Sequence, residues 1–141
     1  MQTTFCVRSR EGEGMKLRIK GNSLRLRVSR SELGRFLAGE EIAETIRFAA
    51  APEAKLTYAL SRGTQASAAI VRYRPQEVMV LLSQEQVQSW SRESEVGVYT
   101  LVDIAPEGLL ELIVEKDFAC LDRSDEANKD TFANPLMGSV C

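Results

Sequence analysis

Alternating polar and apolar residues around a Gly-Asn pair predict a β-hairpin near the start of the chain. Residues 15–28 read MKLRIK, then GN, then SLRLRV, and two alternating runs joined by two such residues are a strong hairpin signal. With Gly21-Asn22 as the turn, counting outward sets apolar residues against apolar ones on one face and basic residues against basic ones on the other. A slip of one residue would mix the two faces, so the pattern also predicts the register.

The basic face of this hairpin sets like charges opposite one another. Arg18 faces Arg25 and Lys16 faces Arg27, and such pairs destabilise a pair of strands. Water, an acidic protein surface, or an anionic partner such as a phosphate or a nucleic acid must therefore cover this face. The candidate anion-binding residues are these bases with one more from a later strand: Lys16, Arg18, Lys20, Arg25, Arg27 and Arg47.

Two capping boxes predict two short helices. Ser29 and Glu32 have the spacing of a capping box, with an apolar stripe following and Gly39 as the stop. Ser83 and Gln86 repeat that spacing and open a second helix, which runs through Trp90.

Period-two alternation elsewhere predicts strands. Three of them, around residues 42–48, 55–61 and 66–74, are expected to form a meander. The apolar run of residues 78–82 predicts a buried strand, and residues 109–118 predict the last strong one. Runs of strands broken by only two helices indicate the α+β class, with a single mainly antiparallel sheet of about 7–8 strands. We expect a flexible leader over residues 1–14, one domain over 15–122 and an acidic, polar tail over 123–141, with no internal repeat.

Length and composition limit the function classes. The 141 residues fit one domain, contain no apolar run long enough to cross a membrane and lack the apolar region of a signal peptide, so we expect a cytoplasmic protein without membrane contact. There is no histidine, and Cys6, Cys120 and Cys141 lie far apart, which excludes histidine-based triads and ordinary zinc sites. We predict no catalytic residue and no cofactor.

The charge is divided unevenly along the chain. Residues 1–74 carry 14 Lys and Arg against 7 Asp and Glu, whereas residues 75–141 carry 4 against 13. This asymmetry indicates either a nucleic-acid face beside an acidic region or two parts of one sheet that neutralise each other. Under the second hypothesis, the strand of residues 109–118 lies in the sheet of the hairpin and sets Glu111, Glu115 and Asp117 beside its bases.

These observations favour a non-enzymatic binding or interaction module with a basic sheet face. An alternative is an enzyme that processes phosphate or polyphosphate, with Glu111, Glu115 and Asp117 as weak candidate ligands of a metal ion. No phosphate-binding glycine loop accompanies them.

Two resemblances add to this interpretation. Residues 20–24 (KGNSL), with Arg27-Val28 and the short helix that follows, resemble the swapped-hairpin DNA-binding domain of AbrB-type regulators and antitoxins. That resemblance implies a unit that dimerises and presents bases to DNA, although Ser29 stands where that family usually has proline.

The second resemblance runs from Met15 to Pro135. The opening MKLRIKGNSLRLRV, the later VEKDFACL and the Asn134-Pro135 pair are similar to a small bacterial family of uncharacterised proteins. This resemblance implies no activity. It does imply that residues 1–14 lie outside the domain.

Overall fold

The computed structural model describes residues 14–118 and 130–133, which form eight strands and two helices. In chain order these are β1 Lys16–Lys20, β2 Ser23–Val28, α1 Arg30–Leu37, β3 Ile42–Arg47, β4 Lys55–Arg62, β5 Ile70–Arg74, β6 Glu77–Leu82, α2 Gln84–Trp90, β7 Gly97–Asp103 and β8 Leu109–Lys116. The predicted leader lies outside the described residues except for residue 14, and the predicted tail except for 130–133. All three cysteines lie outside them as well.

The β1–β2 hairpin has the predicted register. Lys16 pairs with Arg27, Arg18 with Arg25 and Lys20 with Ser23, which confirms the turn at Gly21-Asn22. Gly21 has a φ of +57°, a left-handed conformation that glycine adopts without a steric penalty. Leu24, Leu26 and Val28 are buried, so the bases between them form the outer face.

Both capping boxes are confirmed. The Ser29 hydroxyl accepts from the Glu32 backbone N–H while the Glu32 carboxylate accepts from the Ser29 N–H, and Ser83 and Gln86 repeat both bonds. Each helix buries one aromatic residue, Phe36 in α1 and Trp90 in α2, and the two ring centroids lie 5.8 Å apart. The helices therefore meet in the one core that they share with both sheets.

The strands form two mixed sheets of four strands, so the prediction of a single mainly antiparallel sheet was wrong. The first sheet has the order β1-β2-β8-β7, and the second has the order β3-β4-β6-β5. Each sheet consists of two antiparallel hairpins whose inner strands, β2 with β8 and β4 with β6, run parallel. The predicted meander was also wrong, because β6 separates β5 from β4.

The chain contains two ββαββ repeats that the sequence did not reveal. β5 and β6 begin and end 54 positions after β1 and β2 (70 − 16 = 54 and 77 − 23 = 54), and β8 stands in the same relation to β4 (109 − 55 = 54). The parallel pairs share their register, since Ser23 opposite Glu111 corresponds to Glu77 opposite Thr57. The repeats are thus β1-β2-α1-β3-β4 and β5-β6-α2-β7-β8.

The two repeats exchange hairpins. The first sheet combines the first hairpin of one repeat with the second hairpin of the other, and the second sheet combines the remaining two. Alternation specifies which strands pair within a hairpin, but it carries no information about which hairpins lie side by side. The parallel pairs at the centre of each sheet follow from the exchange, and the sequence pattern therefore failed to predict them.

Each helix is capped at its C-terminal end by a basic residue from the end of a strand, and these two basic residues, Arg62 and Lys116, occupy corresponding positions in the two repeats. Arg62 donates to the Leu37 carbonyl at the end of α1, at 2.9 Å, and Lys116 donates to the Arg92 carbonyl after α2, at 3.2 Å. Cations near these carbonyls stabilise the C-terminal end of a helix. Burial lowers the pKa of Lys116.

Within the described residues, neither helix is long and apolar enough to cross a membrane.

Candidate anion-binding site

The outer face of the first sheet carries both the bases of the hairpin and the acidic residues of β8. The parallel pairing of β2 with β8 sets Arg27 opposite Glu115 and Arg25 opposite Ile113. The hairpin and the strand of residues 109–118 are therefore neighbours in one sheet, as predicted.

Glu115 neutralises two of the arginines. Its Oε1 lies 3.0 Å from Arg27 Nε and 3.3 Å from Arg25 Nε, and the Tyr99 hydroxyl donates to Oε2 at 2.8 Å. Glu115 is only 8% exposed, so its charge is largely withdrawn from water. Burial, with the hydrogen bond to the Glu115 carboxylate and its charge, raises the pKa of Tyr99 to about 12.

A second ion pair neutralises the first base of the hairpin. Lys16 Nζ lies 2.7 Å from Asp117 Oδ2, and Asp117 is 2% exposed. Three of the five bases of the hairpin thus have an acidic partner within the protein, in the manner expected from the charge pattern.

Arg18 and Lys20, at the turn end of the same face, have no such partner. Both side chains are exposed, and within residues 14–118 and 130–133 neither forms an ion pair. With Arg25 they border a shallow depression of about 210 Å³, whose remaining lining residues are Ser23, Glu111 and Ile113. Since Arg25 is paired with Glu115, the two cations Arg18 and Lys20 remain against the one carboxylate of Glu111, and this end of the face has a net positive charge.

Arg47 does not join this cluster. It lies on β3 in the second sheet, where it pairs with Lys55. The second sheet instead carries Arg72 and Arg74 on β5, 54 positions after Arg18 and Lys20. Both are exposed, and no ion pair of theirs occurs among the described residues. A comparison of the chain with itself at that spacing would have drawn attention to them.

The candidate metal ligands do not come together as a metal site. Glu115 and Asp117 form ion pairs with the hairpin, whereas Glu111 is exposed beside Arg18 and Lys20. No group of three or more Asp, Glu, Cys or His side chains in the described part of the chain could hold a metal ion.

The sequence pattern did not predict the interaction of Tyr99 with Glu115, because the two residues lie 16 positions apart and meet only across the β7–β8 pair.

Comparison with known proteins gives a family without an assigned activity. Residues 15–136 match the model of a family described as a family of unknown function, DUF7009. No curated protein and no solved structure matches the chain.

Proposed function

We propose that this chain, which belongs to the DUF7009 family of unknown function, is a non-enzymatic binding module that holds an anionic partner on the outer face of its first sheet. The observation that carries this proposal is the exposed pair Arg18 and Lys20, which forms no ion pair within residues 14–118 and 130–133 although the neighbouring bases are neutralised. A cytoplasmic location belongs to the same proposal.

The pattern of neutralisation supports this site. Arg18 lies directly opposite Arg25, and like charges in that position are unfavourable. Glu115 lies within ion-pair distance of Arg25 but forms no ion pair with Arg18. Position 113, which is opposite Arg25 on β8, holds isoleucine and supplies no carboxylate. The result is a local positive potential at the turn end of the hairpin, which attracts anions by long-range electrostatics.

Two matched double variants test the proposal. Arg18→Ala/Lys20→Ala removes two charges from the site, and Arg47→Ala/Lys55→Ala removes two charges from the second sheet. Fluorescence anisotropy at low salt measures the binding of labelled polyglutamate and of a labelled random-sequence DNA duplex. We expect the first variant to weaken binding of at least one probe by about tenfold or more, and the control by less than about twofold.

Equal binding by the wild type and both variants would contradict the proposal. Measurement at two salt concentrations adds a second criterion, since a contact between exposed charges weakens as ionic strength rises.

DNA binding of the AbrB type is a second candidate, and the exchange of hairpins between the repeats favours it. The resemblance at residues 20–28 implies a hairpin–helix unit that acts in pairs, and this chain contains two such units. Arg72 and Arg74 occupy in the second unit the positions of Arg18 and Lys20. If duplex DNA is the partner, Arg72→Ala/Arg74→Ala also weakens duplex binding and reduces its dependence on salt. A loss confined to the Arg18 and Lys20 variant argues against this candidate.

The enzyme alternative receives no support from the site. Glu115 and Asp117 serve as counter-ions for the hairpin and not as a free pair of carboxylates facing a cavity. A calorimetric titration with Mg²⁺ and triphosphate checks this alternative, and the proposed binding module gives no metal-dependent heat.

A further inference from the structure

β7 is an edge strand of the first sheet, and its outer side chains are apolar and exposed. It pairs with β8 on one side, and no strand among the described residues lies on its other side. Tyr99 is 58% exposed and Leu101 is 60% exposed. Ile113 on β8 lies opposite Tyr99, on the same face. The apolar surface therefore continues from β8 to the free edge of the sheet.

The backbone of β7 has hydrogen-bonding groups that point away from the sheet. The Lys116 N–H donates to the Val96 carbonyl at the start of the β7–β8 pair. Bonded and non-bonded residues alternate in an antiparallel pair, so the N–H and C=O groups of the even-numbered residues of β7 face β8. Those of the odd-numbered residues, from Gly97 to Asp103, face the free edge. Within residues 14–118 and 130–133 they form no hydrogen bond.

The other three edge strands carry charged side chains, which oppose pairing with another strand. The charged residues of β1, β5 and β3 are Lys16, Arg18, Lys20, Arg72, Arg74, Glu44 and Arg47. β7 has one charged residue, Asp103, at its last position. Of the four edges in the described part of the chain, the edge at β7 is thus the least protected against pairing.

The internal repeat provides a direct comparison for this edge. β3 corresponds to β7, since it pairs with β4 as β7 pairs with β8. Matching the partner residues on β4 and β8 at the spacing of 54 positions (113 − 59 = 54) aligns Ala43, Glu44 and Thr45 with Tyr99, Thr100 and Leu101. The second sheet has a carboxylate and no large apolar residue at this place. The fold therefore does not require an apolar edge, and the residues of β7 indicate a partner.

Two copies of β7 complement each other about a two-fold axis at Thr100. An antiparallel pair centred there sets Tyr99 opposite Leu101 of the partner subunit on the outer face, and Val98 opposite Val102 of the partner subunit on the inner face. Odd-numbered residues then lie opposite odd-numbered ones, so the backbone groups at both free edges bond to each other. Each exposed apolar side chain of one copy is covered by one from the other copy.

We propose that two copies of this chain associate through β7 and join their first sheets into one continuous sheet of eight strands. The same surface serves both copies, as in other two-fold dimers. An interface made mainly of one strand pair is expected near or below about 1,200 Å² of buried surface, so the dissociation constant should be about 10–100 μM. This interface does not include Arg18 or Lys20 and does not rest on the proposed function.

Sedimentation velocity over a range of about 5 to 500 μM protein tests the dimer. The wild-type mass should rise from that of one chain toward that of two. Thr100→Lys sets like charges opposite each other at the axis and should weaken association by about tenfold or more. Thr100→Glu, which copies Glu44 of the other edge, should do the same. An equimolar mixture of these two variants should restore the dimer, because opposite charges then meet at the axis.

Two further variants complete the test. Thr45→Lys adds a charge to the exposed edge of the second sheet and should leave association unchanged. Leu101→Lys leaves the half-buried position 100 intact and, by removing the contact with Tyr99 of the partner subunit, should weaken association by about threefold or more. Thermal unfolding of each variant verifies that a loss of association is not a loss of fold.

Several outcomes overturn the proposal. A wild-type mass of one chain at every concentration removes the dimer. Association by the Thr100→Lys and Leu101→Lys variants that equals that of the wild type removes β7 as the interface, and a loss confined to Thr45→Lys moves the interface to the second sheet. If the mixture of the two Thr100 variants stays monomeric, the two-fold register is wrong. A mass that grows beyond two chains contradicts a closed dimer.

Discussion

Glu115 is the residue on which the arrangement of the basic hairpin depends. Its carboxylate accepts from Arg27 Nε and from the Tyr99 hydroxyl, and it lies within ion-pair distance of Arg25 as well. A buried charge with three partners is stabilising only while those partners remain, because desolvation offsets much of the attraction. Removing the charge of Glu115 therefore leaves the guanidinium groups of Arg25 and Arg27 without their neutralising carboxylate.

Glu115→Gln should lower the free energy of unfolding by about 1–3 kcal/mol, since the two arginine side chains are partly exposed and solvent screens part of the loss. Glu111→Gln is the matched control on the same strand, and its exposed carboxylate should change stability by no more than about 0.5 kcal/mol. Urea denaturation of both variants measures the difference. Equal effects would show that Glu115 has no special role.

Glu32 gives the stability a dependence on pH. Burial raises the pKa of Glu32 above its usual value, and this effect exceeds the opposing effect of the hydrogen bonds with Ser29. The folded protein thus favours the protonated form. The stability contributed by this group is complete below the pKa of the unfolded chain and is lost as the pH rises through the higher folded value.

Glu32→Gln should remove that loss. Gln86 has the corresponding position in the other capping box and accepts the same backbone hydrogen bond, so glutamine preserves the cap. We expect the unfolding free energy of the wild type to fall relative to that of the variant as the pH rises from the ordinary glutamate pKa, about 4.3, through the higher folded value. Urea denaturation at several pH values provides the measurement. The reciprocal variant Gln86→Glu introduces a carboxylate in the other cap. The assignment of the pH dependence to Glu32 would be contradicted if the difference in stability between Glu32→Gln and the wild type did not change with pH.

At the level of elements, the capping boxes set where both helices begin. Each serine follows a buried strand directly and turns the chain into a helix of no more than eight residues, so each cap serves a large share of its helix. Such short helices are unstable in isolation and depend on their caps and on tertiary packing. Phe36 and Trp90, near the far ends of these helices, supply that packing.

Ser29→Ala and Ser83→Ala should each lower the free energy of unfolding by about 1 kcal/mol, the usual cost of removing an N-terminal cap. Ser94→Ala, at an exposed position outside both helices, serves as the control and should have no measurable effect. Thermal and urea denaturation measure all three variants. A neutral result at Ser83 would mean that α2 is held by Trp90 and Val87 alone.

At the level of the whole molecule, the exchange of hairpins makes the two repeats interdependent. Neither repeat can complete a sheet, because the inner strand of each hairpin pairs with a strand of the other repeat. The aromatic contact between α1 and α2 also crosses between the repeats. The protein is therefore expected to unfold as one cooperative unit.

Two probes can test this cooperativity in one titration. Fluorescence of Trp90, the single tryptophan, reports the contact between the repeats, and far-ultraviolet circular dichroism reports both sheets. The two denaturation curves should coincide in midpoint and slope. A fluorescence transition that precedes the loss of secondary structure would show that the repeats separate before they unfold.

The sequence by itself determined the local structure of this protein. The register of the β1–β2 hairpin and both capping boxes follow from residues within fourteen positions of each other. Their signals are strong because turn geometry, side-chain alternation and capping hydrogen bonds all act over short separations along the chain. The acidic strand β8 could also be proposed as a partner of the hairpin, because the two carry opposite charges.

Only the tertiary structure decided how these local units combine. The parallel pairs, the two sheets and the repeat depend on contacts between distant hairpins, for which alternation is equally satisfied by several arrangements. The repeats share the character of their residues more than their identity, as with Phe36 and Trp90, because a core position requires volume and apolarity and not one particular side chain. For the same reason, the position of Glu115 between two arginines and a tyrosine, and the free edge of β7, became visible only when the strands were in place.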